Sequence, residues 1–166
     1  MPLISYIKVN SGNVYALSKL RVSKSQWDLI EPNPYWLAEV LTDSEYLSFG
    51  IYTDKTPAGL ITVIDPRTIE EEGGNDDDQL QPDCLYLYRL MIDERHQGKK
   101  LGLSAIKFSQ QLASILGLQG VSLTTMDQAP GNALNLYLAS GFMPTGRRIN
   151  NETELVWEAG DQVNTS

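Results

Sequence analysis

A mixed α/β domain is the fold class this sequence predicts, and three observations predict it. Two pairs of apolar runs, "YLSFGIYT" with "PAGLITVID" and "FMPTGRRI" with "TELVWE", are each joined by a short polar turn, the mark of antiparallel hairpins. Between them "CLYLYRLMI" passes through a glycine-punctuated basic turn, "DERHQGKKLG", into "LSAIKFSQQLASILGL", which is apolar at helical spacing. The full order, β-α-α-β-β-β-α-β-α-β-β, lacks the regular alternation of a doubly wound sheet.

Taken in order, "LISYIKV" opens the chain as a strand, and "VYALSKLRVSKSQWDLI" predicts a helix. "PYWLAEVLTD" predicts a second, short helix with Pro34 in its first turn, where a missing N–H costs nothing. "YLSFGIYT" and "PAGLITVID" follow as strands joined by "DKTP". After an acidic stretch comes the strand "CLYLYRLMI". Leu101, Ala105, Phe108, Leu112 and Ile115 recur at three- and four-residue steps and predict a helix over 101–116, with Gly117 and Gly120 at its end. "VSLTT" is a short strand, "NALNLYLAS" a short helix closed by Gly141, and "FMPTGRRI" and "TELVWE" a final antiparallel pair around "NNE". A single domain is expected over 1–158, with "AGDQVNTS" as a frayed tail over 159–166. There are no repeats, heptads or signs of a second domain.

Composition narrows the function. An apolar fraction of 42% and a charged fraction of 20% are those of a soluble globular protein. No apolar run is long enough to span a bilayer, and "MPLISYIKVN" lacks the basic and apolar regions of a signal peptide. The single cysteine, Cys84, cannot form an internal disulfide and reads as a buried structural thiol. A cytoplasmic protein is expected, with no membrane partner. The net charge of −8 is local: Glu70, Glu71, Glu72, Asp76, Asp77, Asp78 and Asp83 fall in the acidic loop 68–83, and −8 + 7 leaves −1 for the remainder. Such a block is a solvated loop or a landing surface for a cation. It disfavours nucleic acid.

The turn at 93–102 carries the chemistry. A glycine-containing turn entering a helix presents unpaired N–H groups at the positive end of the helix dipole, which suits an anion and phosphate best. Lys99 and Lys100 add charge, and Gly98 and Gly102 admit a close approach. Neither a P-loop nor a dinucleotide fingerprint is present.

"MIDERHQGKKLGLSAI" resembles the acetyl-coenzyme A signature of the GNAT N-acetyltransferases, [QR]-x-x-G-x-[GA] after a central strand. Gln97 stands at its first position and Gly102 at its last, while Lys100 replaces the usual glycine. "NALNLYLASGFMPTGRR" is similar to a second family segment, with Leu136, Tyr137, Gly141 and Phe142 matching; the usual asparagine falls on Pro130, with Asn132 nearby. "LRVSKSQWDLIEP" and "RLMIDERHQGKKLG" look most like bacterial spermine/spermidine acetyltransferases.

The resemblance implies a GNAT-type fold, a mixed and mostly antiparallel central sheet flanked by helices and splayed at the central strand. It implies acetyl-coenzyme A as co-substrate and no metal. Backbone groups of Leu90, Met91 and Ile92 would hold the pantetheine arm. Gln97, Gly98, Lys99, Lys100, Leu101, Gly102 and Leu103 would hold the pyrophosphate, with Asn132 and Tyr137 nearby. Tyr137 stands where the family places the acid that protonates the departing thiolate.

The acceptor must lose a proton to react. An alkyl ammonium has a pKa of about 10.4, so deprotonation at neutral pH costs roughly 4–5 kcal/mol, and a base is required. Glu31 in "LIEPNP" and the acids of the 70–83 loop are the carboxylates considered for this role; His96, inside the turn, is set aside. Tyr86 and Tyr88 share one face of their strand. Trp27 and Trp36 are read as lid or core packing, and Trp157 as core. The favoured acceptor is a small cationic amine, in particular a polyamine. A protein N-terminus or lysine, or a weakly active acyl-coenzyme A-binding module, are the alternatives. A homodimer is among the oligomeric states the sequence leaves open.

Overall fold

The computed structural model describes residues 2–69 and 80–160. Six acids of the acidic loop, Glu70, Glu71, Glu72, Asp76, Asp77 and Asp78, and the end of the expected tail, 161–166, lie outside the described residues.

β1 (Ile4–Lys8), α1 (Val14–Ser18) and α2 (Asn33–Val40) precede a hairpin of β2 (Tyr46–Thr53) and β3 (Thr56–Ile64). β4 (Cys84–Ile92), α3 (Leu101–Ile115), β5 (Gly120–Thr125), α4 (Leu134–Ala139), β6 (Met143–Ile149) and β7 (Glu152–Glu158) follow. The described strands form one seven-stranded sheet in the order β1-β2-β3-β4-β5-β7-β6. Every pairing is antiparallel except β4 with β5. This is the mixed, mostly antiparallel sheet that the sequence predicts. Both hairpins turn on residues at positive φ, Asp54 and Lys55 in one and Asn150 and Asn151 in the other.

Alternation along the strands gives the sheet two different faces. Leu85, Leu87, Val121, Leu123 and Leu155 point to one side and pack with Ala105, Ile106 and Ala113 of α3. On the other side Leu60 and Met91 pack with Leu17 of α1 and Trp36, Leu37 and Val40 of α2. Trp36 is fully buried and donates its indole N–H to Thr62 Oγ1 at 2.9 Å, the core role expected of it. Gly120 is dictated by a close approach, since a Cβ there would lie 1.9 Å from the Trp157 carbonyl oxygen.

The parallel pair is short. β4 and β5 are in register only at Cys84–Gly120, Leu85–Val121 and Tyr86–Ser122. Beyond Tyr86 the strands separate, while β4 stays paired with β3 as far as Ile92 opposite Gly59. The central strand is therefore splayed, as the family resemblance implies.

Two expectations are corrected and one is narrowed. The helix over "VYALSKLRVSKSQWDLI" ends at Ser18, and only a short 3-10 turn, Lys24–Gln26, follows. The chain is drawn away by tertiary bonds: Arg21 N–H donates to Asp93 Oδ2 at 3.0 Å, and Arg21 C=O accepts from Glu94 N–H at 2.7 Å. Ile115 is 80% exposed, because the buried face of α3 runs through Leu101, Ala105, Ser109 and Ala113 at four-residue steps. Of the two roles expected of Trp27, lid or core, its 57% exposure leaves only the first. Cys84 is buried, as expected, and burial followed by nearby carboxylates pushes its thiol up to about 11. No helix among the described residues is long and apolar enough to cross a membrane.

Candidate active site

The separation of β4 from β5 opens a cleft of about 850 Å³. Asp93 N–H bonds Ala58 C=O at 2.8 Å. Strand alternation then turns the backbone groups of Leu90 and Ile92 away from β3 and into the split. Met91 faces the other way: its backbone is on the β3 side, and its side chain is buried, with Sδ accepting from Asn33 Nδ2.

The turn that closes one end of the cleft is built by Asp93. Its carboxylate is 2% exposed and accepts from Arg21 N–H, Arg95 N–H and Arg95 Nε. Burial raises this carboxyl, but the bonds from Arg95 and Arg21 outweigh it and hold it below the usual value. A 3-10 turn, Glu94–His96, leads to Gln97, whose Nε2 donates to Ile92 C=O at 3.0 Å and to Gln26 Oε1 at 2.8 Å. The N–H groups from Gln97 to Leu103 bond no group among the described residues. Gly98 (φ 79°) and Lys100 (φ 64°) are left-handed. The left-handed cap before α3 is the physical reason a glycine suits position 100; Lys100 bears that strain.

Tyr137 forms the cleft wall from α4. Its ring is buried against Phe142 in an edge-on contact with centroids 5.7 Å apart. No described residue bonds its hydroxyl, and burial pushes the phenol up to about 12. Asn132 also lines the cleft, with its amide spent on the turn into α4: Nδ2 donates to Ala129 C=O and Oδ1 accepts from Leu134 N–H. His96 lines the cleft as well, and its buried Nδ1 lacks a partner among the described residues.

The opposite end of the cleft is polar. Val63 pairs with Leu87 and Thr62 with Arg89, so Tyr88 is an extra residue in β4. This bulge turns Tyr88 and Arg89 to the same side, where both reach Glu39. Arg89 Nη1 meets Glu31 Oε2 at 2.6 Å and Nη2 lies 3.9 Å from Glu39 Oε2. Tyr88 donates a short hydrogen bond to Glu39. Tyr86 shares this face, as expected. Its hydroxyl is 3.3 Å from Thr124 Oγ1, which donates at 3.5 Å to Glu152 Oε2.

The split thus brings together Glu31, Leu90, Met91, Ile92, Gln97, Gly98, Lys100, Leu101, Gly102, Leu103, Asn132 and Tyr137. Of the described residues expected from the sequence, Lys99 is not on the cleft wall, and neither is Asp83, the one described acid of the 70–83 loop considered as a base. Sequence reasoning missed Arg89, Thr124 and Glu152. The polar alternation of "VSLTT" and "NNETELVWE" was a signal for the last two, but only the register aligns them. A second cavity of about 570 Å³ adjoins the cleft, sharing Val22, Ile30 and Glu31 and bordered by Trp27. No group of His, Cys, Asp and Glu among the described residues is placed to hold a metal ion.

The model of the acetyltransferase (GNAT) family matches residues 12–142. No curated protein sequence matches the chain. Among solved structures, an acetyltransferase from Thermus thermophilus is 18% identical with a TM-score of 0.70, covering 93% of this chain and 96% of that one. A dodecameric spermidine N-acetyltransferase from Vibrio cholerae is 18% identical with a TM-score of 0.63, covering 98% of each. AAC(6')-Ib, in complex with paromomycin and acetyl-CoA, is 11% identical with a TM-score of 0.75, covering 98% of this chain and 97% of that one.

Proposed function

The chain belongs to the GNAT family of acetyl-coenzyme A-dependent N-acetyltransferases, and on that premise we propose that its acceptor is a small polycationic amine of the polyamine class. One observation carries this reading: the cleft has two unlike ends. One is lined by N–H groups that bond nothing among the described residues and by Lys100, and the other by the carboxylates Glu31 and Glu152 and the Arg89 guanidinium, with Glu39 close by on Arg89. The first suits a polyanion and the second a cation. The likeness to a spermidine N-acetyltransferase supports the same acceptor class.

Acetyl-coenzyme A supplies the acetyl group as a thioester. The N–H groups from Gln97 to Leu103 hold its pyrophosphate, assisted by the charges of Lys99 and Lys100. Ile92 and Leu90 offer backbone groups along the split, and Met91 and Leu101 close its walls. Asn132 holds the entry to α4, and so holds Tyr137 against the cleft.

Tyr137 is the donor to the leaving sulfur. A phenol near 12 stays protonated throughout the physiological range. It is a weaker acid than a thiol of pKa about 8.5, by an amount that makes full proton transfer even to the departed thiolate cost roughly 5 kcal/mol. Tyr137 therefore acts by a hydrogen bond that strengthens as the sulfur gains charge.

Glu31 and Glu39 are committed to Arg89 and Tyr88, and serve to hold the acceptor's spare ammonium groups at the mouth. Their side chains are 41% and 43% exposed. Each contact is worth about 0–1 kcal/mol, so recognition is collective and salt-sensitive.

A thiol-release assay with acetyl-coenzyme A tests the acceptor. Spermidine, spermine, a diamine, an aminoglycoside and a basic peptide are compared at low and high salt. Spermidine or spermine should give the highest kcat/KM, falling as ionic strength rises. A preference for the peptide or the aminoglycoside overturns the acceptor assignment and leaves the N-acetyltransferase.

A further inference from the structure

We propose that Glu152 is the base that takes the acceptor's proton, and that Thr124 and Tyr86 hold its carboxylate toward the split. The inference rests on acetyl transfer to an ammonium acceptor and not on which ammonium.

Only Glu31 and Glu152 are carboxylates on the described cleft wall. Glu31 is closed by Arg89 at 2.6 Å. The neighbouring acids are also committed: Glu39 to Tyr88 and Arg89, Asp127 to Arg148, and Glu154 to Arg147, Thr145 and Gln81. Glu152 forms no ion pair among the described residues. Its contact is one neutral hydroxyl, Thr124 Oγ1 at 3.5 Å, itself 3.3 Å from Tyr86 Oη. These are long for hydroxyl bonds, and such contacts tighten when the reacting complex forms.

The placement follows from the sheet. Thr125 pairs with Thr153 and Tyr86 with Ser122, so Tyr86, Thr124 and Glu152 share one face. They straddle the point where β4 and β5 part, on the side away from α3.

The charges facing Glu152 are few. Arg89 of β4 lies close enough to favour its ionised form, and Glu154, two residues along β7 on the same face, is spent on Arg147, Thr145 and Gln81. Burial is the larger effect and raises its carboxyl above the ordinary value; the Thr124 bond and Arg89 offset part of that rise. A raised carboxylate is a stronger base, and it loses its base form as pH falls through the raised value.

The step balances as follows. The Glu152 carboxylate takes one proton from the ammonium, becoming a neutral acid. The freed nitrogen lone pair forms the C–N bond to the acetyl carbon while the C–S bond breaks, its electron pair going to sulfur. The nitrogen's second proton passes through water to the sulfur as the amide forms, giving the free thiol, while the Tyr137 hydroxyl donates a hydrogen bond to the sulfur and keeps its own proton. Glu152 returns its proton to solvent.

The test is Glu152→Gln, assayed with the best acceptor of the panel and with an alkoxyamine that is already neutral at the assay pH. With the ammonium acceptor, kcat should fall about 10²–10⁴-fold. KM should stay within about threefold, as for a group acting in the chemical step. The acid-side fall of the parent's kcat/KM should be absent from the variant. The deficit should shrink for the alkoxyamine, and Glu152→Asp should recover part of kcat. An equal melting shift with acetyl-coenzyme A in parent and variant verifies the fold and the cofactor side.

An unchanged kcat, or a loss confined to KM with the parent's pH profile intact, overturns the assignment. If no polyamine is acetylated but another amine is, the acceptor reading fails while Glu152 is still judged on that amine. No turnover with any amine overturns both.

Discussion

Replacing Tyr137 by Phe removes one oxygen and separates two roles for this residue by which property responds. If the ring merely packs, neither stability nor activity should move far. Tyr137 is 8% exposed and meets Phe142 edge-on, but its hydroxyl opens onto the cleft, where solvent meets it. Removing that hydroxyl should therefore change stability by less than about 1 kcal/mol, within about 2–4 °C in Tm for a domain of this size. Activity should fall. Loss of the hydrogen-bond donor to the leaving sulfur costs about 10²–10³-fold in kcat, roughly 2.7–4 kcal/mol of barrier. Calorimetric melting and a thiol-release assay at saturating acetyl-coenzyme A measure the two on one preparation. A kcat within about threefold of the parent, too small a loss for a hydrogen bond to the developing charge, would refute the role and leave Tyr137 as packing.

Two further substitutions probe the turn. Lys100→Gly relieves a left-handed residue worth about 1–2 kcal/mol against the greater freedom of glycine when unfolded, about 0.4–1 kcal/mol. Tm should hold or rise, and acetyl-coenzyme A affinity measured by calorimetry should be kept or improved; a tenfold loss, about 1.4 kcal/mol, would show that the ammonium and not the backbone holds the phosphate. Asp93→Asn keeps an acceptor for one side but sets an amide N–H₂ against the N–H donors on the other, Arg21 or Arg95, at a cost of about 1–3 kcal/mol, with weakened acetyl-coenzyme A binding. Because the folded state holds this carboxyl below its ordinary value, its contribution is full at neutral pH and is lost as pH falls through the lowered value. Melting curves of the variant should lack that share of the parent's acid sensitivity.

The sheet was readable from the sequence because its strands are bounded by clear turn residues and α3 by a regular apolar period. The cofactor end of the cleft was readable because its residues are contiguous, 97–103, and their backbone does the work. The acceptor end was not. Arg89 reaches Glu31 and Glu39 only because a bulge at Tyr88 reverses the strand's parity, and no local pattern announces a bulge. Glu152 meets Thr124 through strand register between distant segments. The segment after Ser18 carries a helical pattern, yet two hydrogen bonds to the 93–94 turn hold it extended, a tertiary effect that outweighs propensity.

The most direct measurement is the calorimetric titration of acetyl-coenzyme A into the parent and into Gly102→Asp. A Cβ at Gly102 would meet only Leu136 Cδ2, at 3.4 Å, an ordinary contact. An aspartate in the first turn of α3 is favourable to the helix dipole, so the variant should fold and melt no lower than the parent. Its carboxylate nevertheless stands among the N–H groups assigned to the pyrophosphate. The parent should bind with measurable heat and the variant should show none. Binding of equal strength by both, or no binding by the parent, would contradict the placement of acetyl-coenzyme A in this split.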